Sequence, residues 1–527
     1  MTGNDFGIAR LGAAINRRVR RFTRRFMTRR GGVAVIFGLS FIPLSLLTLT
    51  AIDFHRASTV KNALQDALDA ASLAAARSEA TKASDIQAIG AKVLNANMRA
   101  YKDTTLSNIV FTLKDDGTVV GTAKANVDPL VASMFLGGPI DMAVSSEVVR
   151  ANDKLEIVLV LDNTGSMAGT KINTLKSAAT ELVDDLTEAA KGNSDPDAIK
   201  IGLVPFSMTV RVGSQYRNAN WIDNNAVSPF HDDIFDGNAN RLALLNQMGL
   251  DWAGCVESRP YPYDVQEIEP HANDPESMFV PYFAPDEPDV PSISGWKDQY
   301  DVDNNYLPDG ISTKSADYKK WFKHQGRRQK YGKTGLNLSN GRGPNRGCTM
   351  QSIVRLTNSP GPIKTAISNM VATGETNIPM GLMWGWHLLS PLEPFEDGAS
   401  YADEEVTKIV ILMTDGDNVN SDYDNPNDST YSGLSYVWGQ RLGLDVGSSG
   451  TQRNAAMNAR LAELCNNMKA KGIVLYTVRV EVNSGQSSLL KNCASQPDNF
   501  YDVQNVADLG EAFEQIAGQI SRLRIAK

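Results

Sequence analysis

With 527 residues, 42% of them apolar and 21% charged, the chain is too long for one ordinary core and too apolar to be disordered throughout. Its formal net charge of −8 hides a strong segregation, because residues 1–30 carry nine arginines against the single acid Asp5. Four cysteines without a C-x-x-C argue against zinc, and the chain holds neither the G-x-x-x-x-G-K-[ST] of a P-loop nor the H-E-x-x-H of a zinc protease.

From Gly31 to Ile52 there are 22 residues without a charge, enough to cross a hydrocarbon core as a helix, and Pro43 is tolerated in that setting. The arginines then read as positive-inside flanks rather than as a nucleic-acid arm. This predicts a basic cytoplasmic tail over 1–30, a transmembrane helix over 31–53 and export of everything beyond. A cleaved signal peptide fits less well, since the basic region is long, the apolar run exceeds an ordinary signal core and no clean A-x-A follows. Val60, Leu64, Ala67, Leu68 and Ala71 form a helical stripe, so residues 54–105 are expected to be a helical stalk. Its small-residue face (Ala70, Ala71, Ser72, Ala74, Ala75, Ala76) suits packing against a helix or a small sheet. Residues 106–151 alternate apolar and polar around Asp115-Asp116-Gly117, the pattern of a small antiparallel β segment.

The run R-R-G-G-V-A-V-I-F-G-L from Arg29, followed by A-I-D-F-H-R-A and A-L-D-A-A-S-L-A-A-A, resembles the N-terminus of TadE/TadG-like proteins of bacterial Flp (tight adherence) pilus systems. The resemblance implies a single-pass inner-membrane protein with a cytoplasmic N-terminus and its bulk in the periplasm. Pilin-like members carry a glutamate just inside the apolar segment for peptidase processing. Val33 to Phe37 has none, so retention as an anchor is expected.

Asn152-Asp153 opens a different pattern. Leu155 to Leu161 is a short apolar run that fits a buried strand, and it stops at Asp162-Asn163-Thr164-Gly165-Ser166. Asp162, Thr164 and Ser166 would then lie at the carboxyl edge of an open α/β sheet, where such sheets bind ligands. One carboxylate and two hydroxyls are hard oxygen ligands suited to Mg²⁺ or Mn²⁺. Read alone, D-x-T-x-S is equally an Asx turn and helix cap. Two later segments add to it: Thr373-Gly374-Glu375-Thr376-Asn377 running into an apolar helix, and Lys408 to Met413 ending in Thr414-Asp415-Gly416.

Together these segments resemble the metal-ion-dependent adhesion site (MIDAS) of von Willebrand factor A domains, over residues 153–213 and 351–524. The resemblance implies a Rossmann-like α/β fold, a parallel-rich sheet with helices on both faces. It also implies a metal site of Asp162, Thr164, Ser166, Thr376 and Asp415, holding Mg²⁺ (or Mn²⁺ or Ca²⁺) with one position open to a protein partner's carboxylate. The family more often has Ser where this chain has Thr164, but a hydroxyl is kept. The A domain is therefore expected over 152–213 and 351–527. Its order is strand 155–161, helix 171–190, strand 199–206, helices near 363–371 and 378–389, strand 407–413, helix 452–471, strand 473–480 and a closing helix 505–523.

Residues 214–350 are expected to be a large, loop-rich insertion. Within it 222–310 hold 18 acids against 3 bases and 311–347 hold 10 bases against 1 acid, so the two blocks are expected to fold onto each other or to face partners of opposite sign. Of three possible cysteine pairings, Cys255–Cys348 and Cys465–Cys493 are favoured because each lies within one segment. Asp301-Val302-Asp303-Asn304-Asn305 has Tyr306 where an EF-hand needs glycine, and both it and the patch of Asp415, Asp417, Asp422, Asp424 and Asp428 read as solvated loop acids rather than weak Ca²⁺ sites. The bases and aromatics from Lys319 to Arg328 would meet acidic protein, polysaccharide or lipid outside the cell membrane rather than nucleic acid. The expected function is non-enzymatic: a membrane-anchored, metal-dependent protein-binding module that helps assemble or anchor a pilus. A tethered adhesin or matrix-binding module is the alternative, and a metal-dependent hydrolase the weaker one.

Overall fold

The computed structural model describes residues 32–78, 80, 82–114, 117–129, 138–149, 154–190, 195–289, 302–310, 320–481 and 487–526. The basic tail, Asp115-Asp116, Asn152-Asp153, Asp301 and Lys319 lie outside these residues. The chain divides into two compact units, Met1–Arg150 and Ala151–Lys527.

In the first unit, α1 (Gly32–Ala76) is one continuous helix with Pro43 inside it. At 1.5 Å per residue it is roughly 65 Å long, and it is long and apolar enough to cross a membrane. Phe37, Phe41, Ile42 and Leu47 of its first half are exposed. The second half turns amphipathic and buries Leu64, Leu68, Ala71, Ser72 and Ala75, with Ala70 facing out. These residues pack with α2 (Ala83–Asn97) and with an antiparallel sheet of β1 (Thr104–Leu113), β2 (Thr118–Val127) and β3 (Ile140–Val149), in the order β1-β2-β3. The predicted small-residue face thus meets a sheet. A Cβ added at Gly121 would come within 2.4 Å of Ser72 Oγ, so only small residues allow this approach.

The second unit begins with β4 (Lys154–Asp162), followed by α3 (Thr170–Ala190), β5 (Ile199–Phe206), β6 (Val210–Arg211), α4 (Arg241–Met248), β7 (Cys255–Val256) and α5 (Trp321–Gln325). Then come β8 (Val354–Thr357), α6 (Pro360–Ser368), α7 (Ile378–Leu389), β9 (Val406–Thr414), α8 (Gly450–Ala470), β10 (Val474–Val480), α9 (Ser487–Cys493), β11 (Phe500–Val503) and α10 (Leu509–Ala526). The sheet order is β11-β10-β9-β4-β5-β6-β7, with β8 also on β5. Strands β11, β10, β9, β4 and β5 are mutually parallel, while β6, β7 and β8 add antiparallel edges.

The period of two in β4 sorts its side chains between two cores. Ile157, Leu159 and Leu161 pack against α3, α6 and α10. Val158 and Val160 face α7, α8 and the insertion. All twelve residues of α7 are buried, as a sequence apolar on every side but for His387 requires. It lies close on the sheet: a Cβ at Gly381 would come within 2.5 Å of Phe206, and one at Gly385 within 2.6 Å of Val160. The acid Glu156, placed on this face, is buried against Lys408, whose Nζ donates to Glu156 Oε2 at 2.5 Å and to the Leu389 carbonyl at 2.7 Å.

The insertion has little regular structure but a real core. Trp221, Trp252, Phe279, Phe283, Tyr306 and Tyr331 are buried in the same cluster as Trp384 and Phe395. Its opposite charge blocks do fold onto each other: Lys330 pairs with Asp286 (2.7 Å) and Asp309 (2.8 Å), Arg346 with Asp303 (2.5 Å) and Arg328 with Asp236 (3.5 Å). Cys255–Cys348 and Cys465–Cys493 are the disulfides, the favoured pairing.

Candidate metal centre

Three loops meet at the carboxyl edge of the parallel strands. The first follows β4. Asp162 Oδ1 accepts from the Thr164 backbone N–H at 2.8 Å, the Asx turn that its sequence favours. Its other oxygen accepts from Thr414 Oγ1 at 2.6 Å, which ties the ends of β4 and β9 together. The hydroxyls of Thr164 and Ser166 lie 2.9 Å apart, and Ser166 Oγ donates to Asp415 Oδ1 at 2.7 Å. Asp162, Thr164, Ser166 and Asp415 are therefore joined in one run of hydrogen bonds across two strand ends.

The second loop, residues 373–377, threads between the others by its backbone. Thr373 N–H donates to the Asn163 carbonyl (2.8 Å), Gly165 N–H to the Gly374 carbonyl (2.9 Å) and Asn377 N–H to the Ser207 carbonyl (3.1 Å). Gly374 has φ +75° and sits against Ser207 Oγ, so the turn needs glycine. Thr376 is buried in this loop, and its carbonyl accepts from Val419 N–H, 2.9 Å away.

Asp162, Thr164, Thr376 and Asp415 are buried, whereas Ser166 is exposed. The open side of the site is therefore at Ser166. Burial pushes the Asp162 carboxyl up to about 6, and the neighbouring Asp415 charge adds to that, against hydrogen bonds from Thr164 and Thr414. Two carboxylates and the hydroxyls between them are hard oxygen ligands of the kind a divalent cation takes. Among the described residues no group of three or more His, Cys, Asp or Glu is placed to hold a metal ion, so the donor set leans on hydroxyls.

Sequence reasoning missed two participants. Lys171, on the first turn of α3, places Nζ 2.8 Å from Asp415 Oδ2 and 3.8 Å from Glu481. Thr414 anchors Asp162. Both stand inside segments already singled out, but only the fold turns their side chains onto the carboxylates.

Residues 31–78 match the family model for Flp pilus-assembly TadE/G-like proteins, and residues 156–236 match the von Willebrand factor type A domain. No curated protein matches the sequence. Among solved structures, the pilus adhesin SpaC of Lactobacillus rhamnosus GG is similar over 80% of this chain and 34% of its own, at 11% identity and a TM-score of 0.30. The von Willebrand domain of the type V pili tip protein Mfa5 of Porphyromonas gingivalis aligns over 72% of this chain and 98% of its own, at 11% identity and a TM-score of 0.33. Proximal thread matrix protein 1 of the mussel byssus, with a zinc-occupied MIDAS motif, aligns over 70% and 96%, at 15% identity and a TM-score of 0.19. The chain spans about a third of the length of the SpaC adhesin. On the two family matches, the chain joins a TadE/G-like segment to a von Willebrand factor type A domain.

Proposed function

We propose that this is a non-enzymatic protein held in the bacterial inner membrane by α1, with a cytoplasmic N-terminus and a periplasmic A domain, that binds a protein partner through a divalent metal and helps assemble or anchor a Flp-type pilus. The observation that carries the metal reading is the hydrogen-bonded run of Asp162, Thr164, Ser166 and Asp415, open to solvent at Ser166. Those four, with Thr376, would hold Mg²⁺, and the ion would offer an open position to a carboxylate of the partner. The protein's own part is to present fixed oxygen donors on rigid strand ends and to keep the carboxylates out of bulk water. The pilus role rests on the TadE/G-like segment.

Titration calorimetry with Mg²⁺ and with Mn²⁺ tests the site, beside Asp162→Ala and Ser166→Ala. Binding to the wild type that both substitutions abolish is expected; a folded wild type that binds neither ion defeats the metal reading. A reporter fused after Lys527 tests the orientation, which cytoplasmic activity would overturn. Deletion of the gene should reduce piliation, and intact pili would favour the tethered adhesin instead.

A further inference from the structure

Beside the metal loops, the insertion and the loop after β9 enclose a cleft of about 460 Å³, within the roughly 300–1,000 Å³ of small-ligand pockets. Thr373, Gly374 and Glu375 of the second loop form part of its wall. The Gly374 carbonyl accepts from Gly165 N–H at 2.9 Å, and Thr373 N–H donates to the Asn163 carbonyl at 2.8 Å. One backbone hydrogen bond thus separates the cleft wall from the loop that carries Ser166, so a single bound segment can reach both.

The lining holds one base, Arg346, and three acids, Glu287, Asp303 and Glu375. Arg346 is committed to Asp303: its Nε donates to Oδ2 at 3.0 Å, and its Nη2 lies 2.5 Å from Oδ1. The other two acids have no basic side chain within ion-pairing distance among the described residues. Glu287 is buried and accepts from the N–H groups of Asp303 and Asn304 and from the Tyr436 hydroxyl. Glu375 is half-buried, and its hydrogen bonds are long, from Ser421 N–H at 3.3 Å and from Thr430 Oγ1 at 3.5 Å. The cation that acts on Glu375 from further off, Arg453, pairs instead with Asp428 at 2.6 Å and Asp422 at 3.4 Å. The cleft therefore carries two carboxylates without a counter-charge, and Glu375 stands on the wall it shares with the metal loops.

An anion finds no free base in this cleft, and an uncharged group leaves Glu375 without a counter-charge. A divalent ion finds too few ligands, since among the described residues no group of three or more His, Cys, Asp or Glu is placed to hold one. A lysine or arginine side chain meets each condition. Its N–H groups give Glu375 a charge-assisted bond, and Met208, Tyr423 and Tyr431 in the lining offer apolar surface to its stem. We infer that the partner giving its carboxylate to the metal carries a basic side chain a few residues away, which enters this cleft and pairs with Glu375. The inference rests on the metal reading above and adds the partner's chemistry: its docking segment holds an acid and a base close together, and a purely acidic segment is rejected.

The test uses the full chain in nanodiscs of zwitterionic lipid with saturating Mg²⁺, and acetylated, amidated peptides that hold one aspartate and one arginine spaced by one to three glycines. In a matched series citrulline replaces the arginine, keeping its shape without its charge. At one spacing or more, the arginine peptide should bind roughly tenfold or more tightly than its citrulline match, the scale of a charge-assisted hydrogen bond. Glu375→Gln should erase that preference. So should Thr349→Lys, which sets a fixed cation into the lining at an exposed position. Equal binding of the two series, tighter binding of peptides with a second aspartate for the arginine, no binding by any peptide, or a preference that survives either substitution would overturn the proposal. Calorimetry with Mg²⁺ alone separates these results from failure of the metal reading. If the folded protein binds no Mg²⁺, saturation-transfer NMR with N-acetylarginine amide against N-acetylcitrulline amide reads the cleft by itself. Transfer from the arginine compound alone, lost in Thr349→Lys, keeps the basic side chain in the cleft; equal or absent transfer overturns it.

Discussion

The lysine beside the metal loops gives the sharpest test of the site's electrostatics. Lys171 Nζ lies 2.8 Å from Asp415 Oδ2, with the Asp415 side chain fully buried and that of Lys171 24% exposed. A hydrogen bond between charged partners contributes about 1.5–3 kcal/mol, and a divalent cation that draws on the same carboxylate must displace or share it. Lys171→Met removes the competitor and leaves Asp415 with its bond from Ser166. The metal-free protein should lose about 1.5–3 kcal/mol, because a buried carboxylate has lost its counter-charge. Mg²⁺ should bind roughly 10- to 100-fold more tightly, at about 1.4 kcal/mol per factor of ten. Calorimetry reads the second effect directly. Melting with and without saturating Mg²⁺ reads both, since the ion's stabilisation grows with its affinity. Equal or weaker affinity in Lys171→Met would refute the reasoning, because the lysine would then be shown to help hold the ion or not to compete for Asp415.

Three further outcomes follow from buried groups. The Asp162 carboxyl titrates near 6 in the fold, above its ordinary 3.8. The folded state thus binds this proton more tightly than the unfolded chain, and acid favours the metal-free fold: about 3 kcal/mol of cost present at pH 7 disappears as pH falls towards 4. Urea titrations of wild type against Asp162→Asn should show it, and Mg²⁺ affinity should drop about tenfold per unit below pH 6. The Cys465–Cys493 bridge closes a loop with a sequence separation of 28. Replacing both cysteines by alanine should cost about 3–4 kcal/mol in urea denaturation, on the chain-entropy estimate. Lys408→Met leaves the buried Glu156 with the Ala399 N–H but no charge partner, and should cost about 3–5 kcal/mol by thermal melting. Glu156→Leu added to it should restore most of the loss.

The strands that hold the site were legible because their burial is periodic. Leu155–Leu161 and Lys408–Met413 are continuous apolar runs, and a strand buried on both faces must read so. The five expected donors lie in three loops that do converge, though only four share the side-chain network. The shorter strands left no such signal. β8 has four residues, none of them fully buried, and β11 has Asp502 within its four. Helix ends shifted for local reasons. The helix expected near 363–371 starts at Pro360, since proline suits the first helical turn, and the closing helix starts at Leu509, after a turn in which Asn505 accepts from the Ala507 N–H. The insertion was the hardest part to read. Its aromatic core is carried by loops, so no period of two or 3.6 marks the residues that pack over α7.

Those loops also brace the candidate metal site. The 35 residues from Asp415 to Ser449 carry no α-helix or strand, yet buried groups pin them. Asn418 Oδ1 accepts from Ile378 N–H at 2.9 Å and its Nδ2 donates to Asn458 at 2.8 Å. The fully buried Arg453 holds Asp428 at 2.6 Å and the Ser448 carbonyl at 2.6 Å. Tyr431 and Arg241 share Glu257, which also takes Arg441 at 2.9 Å. Leaving one of these guanidinium groups unpaired would be costly, so each fixes the loop against one arrangement of its neighbours. The loop that follows Asp415 is thus bound to the insertion and to α8 at several points. The donors of the candidate metal site already hold each other in place through Thr164, Ser166 and Asp415. On the proposed function, a cation arriving there would have little chain to order, and a partner would meet a surface whose shape is set in advance, which would lower the entropic cost of binding.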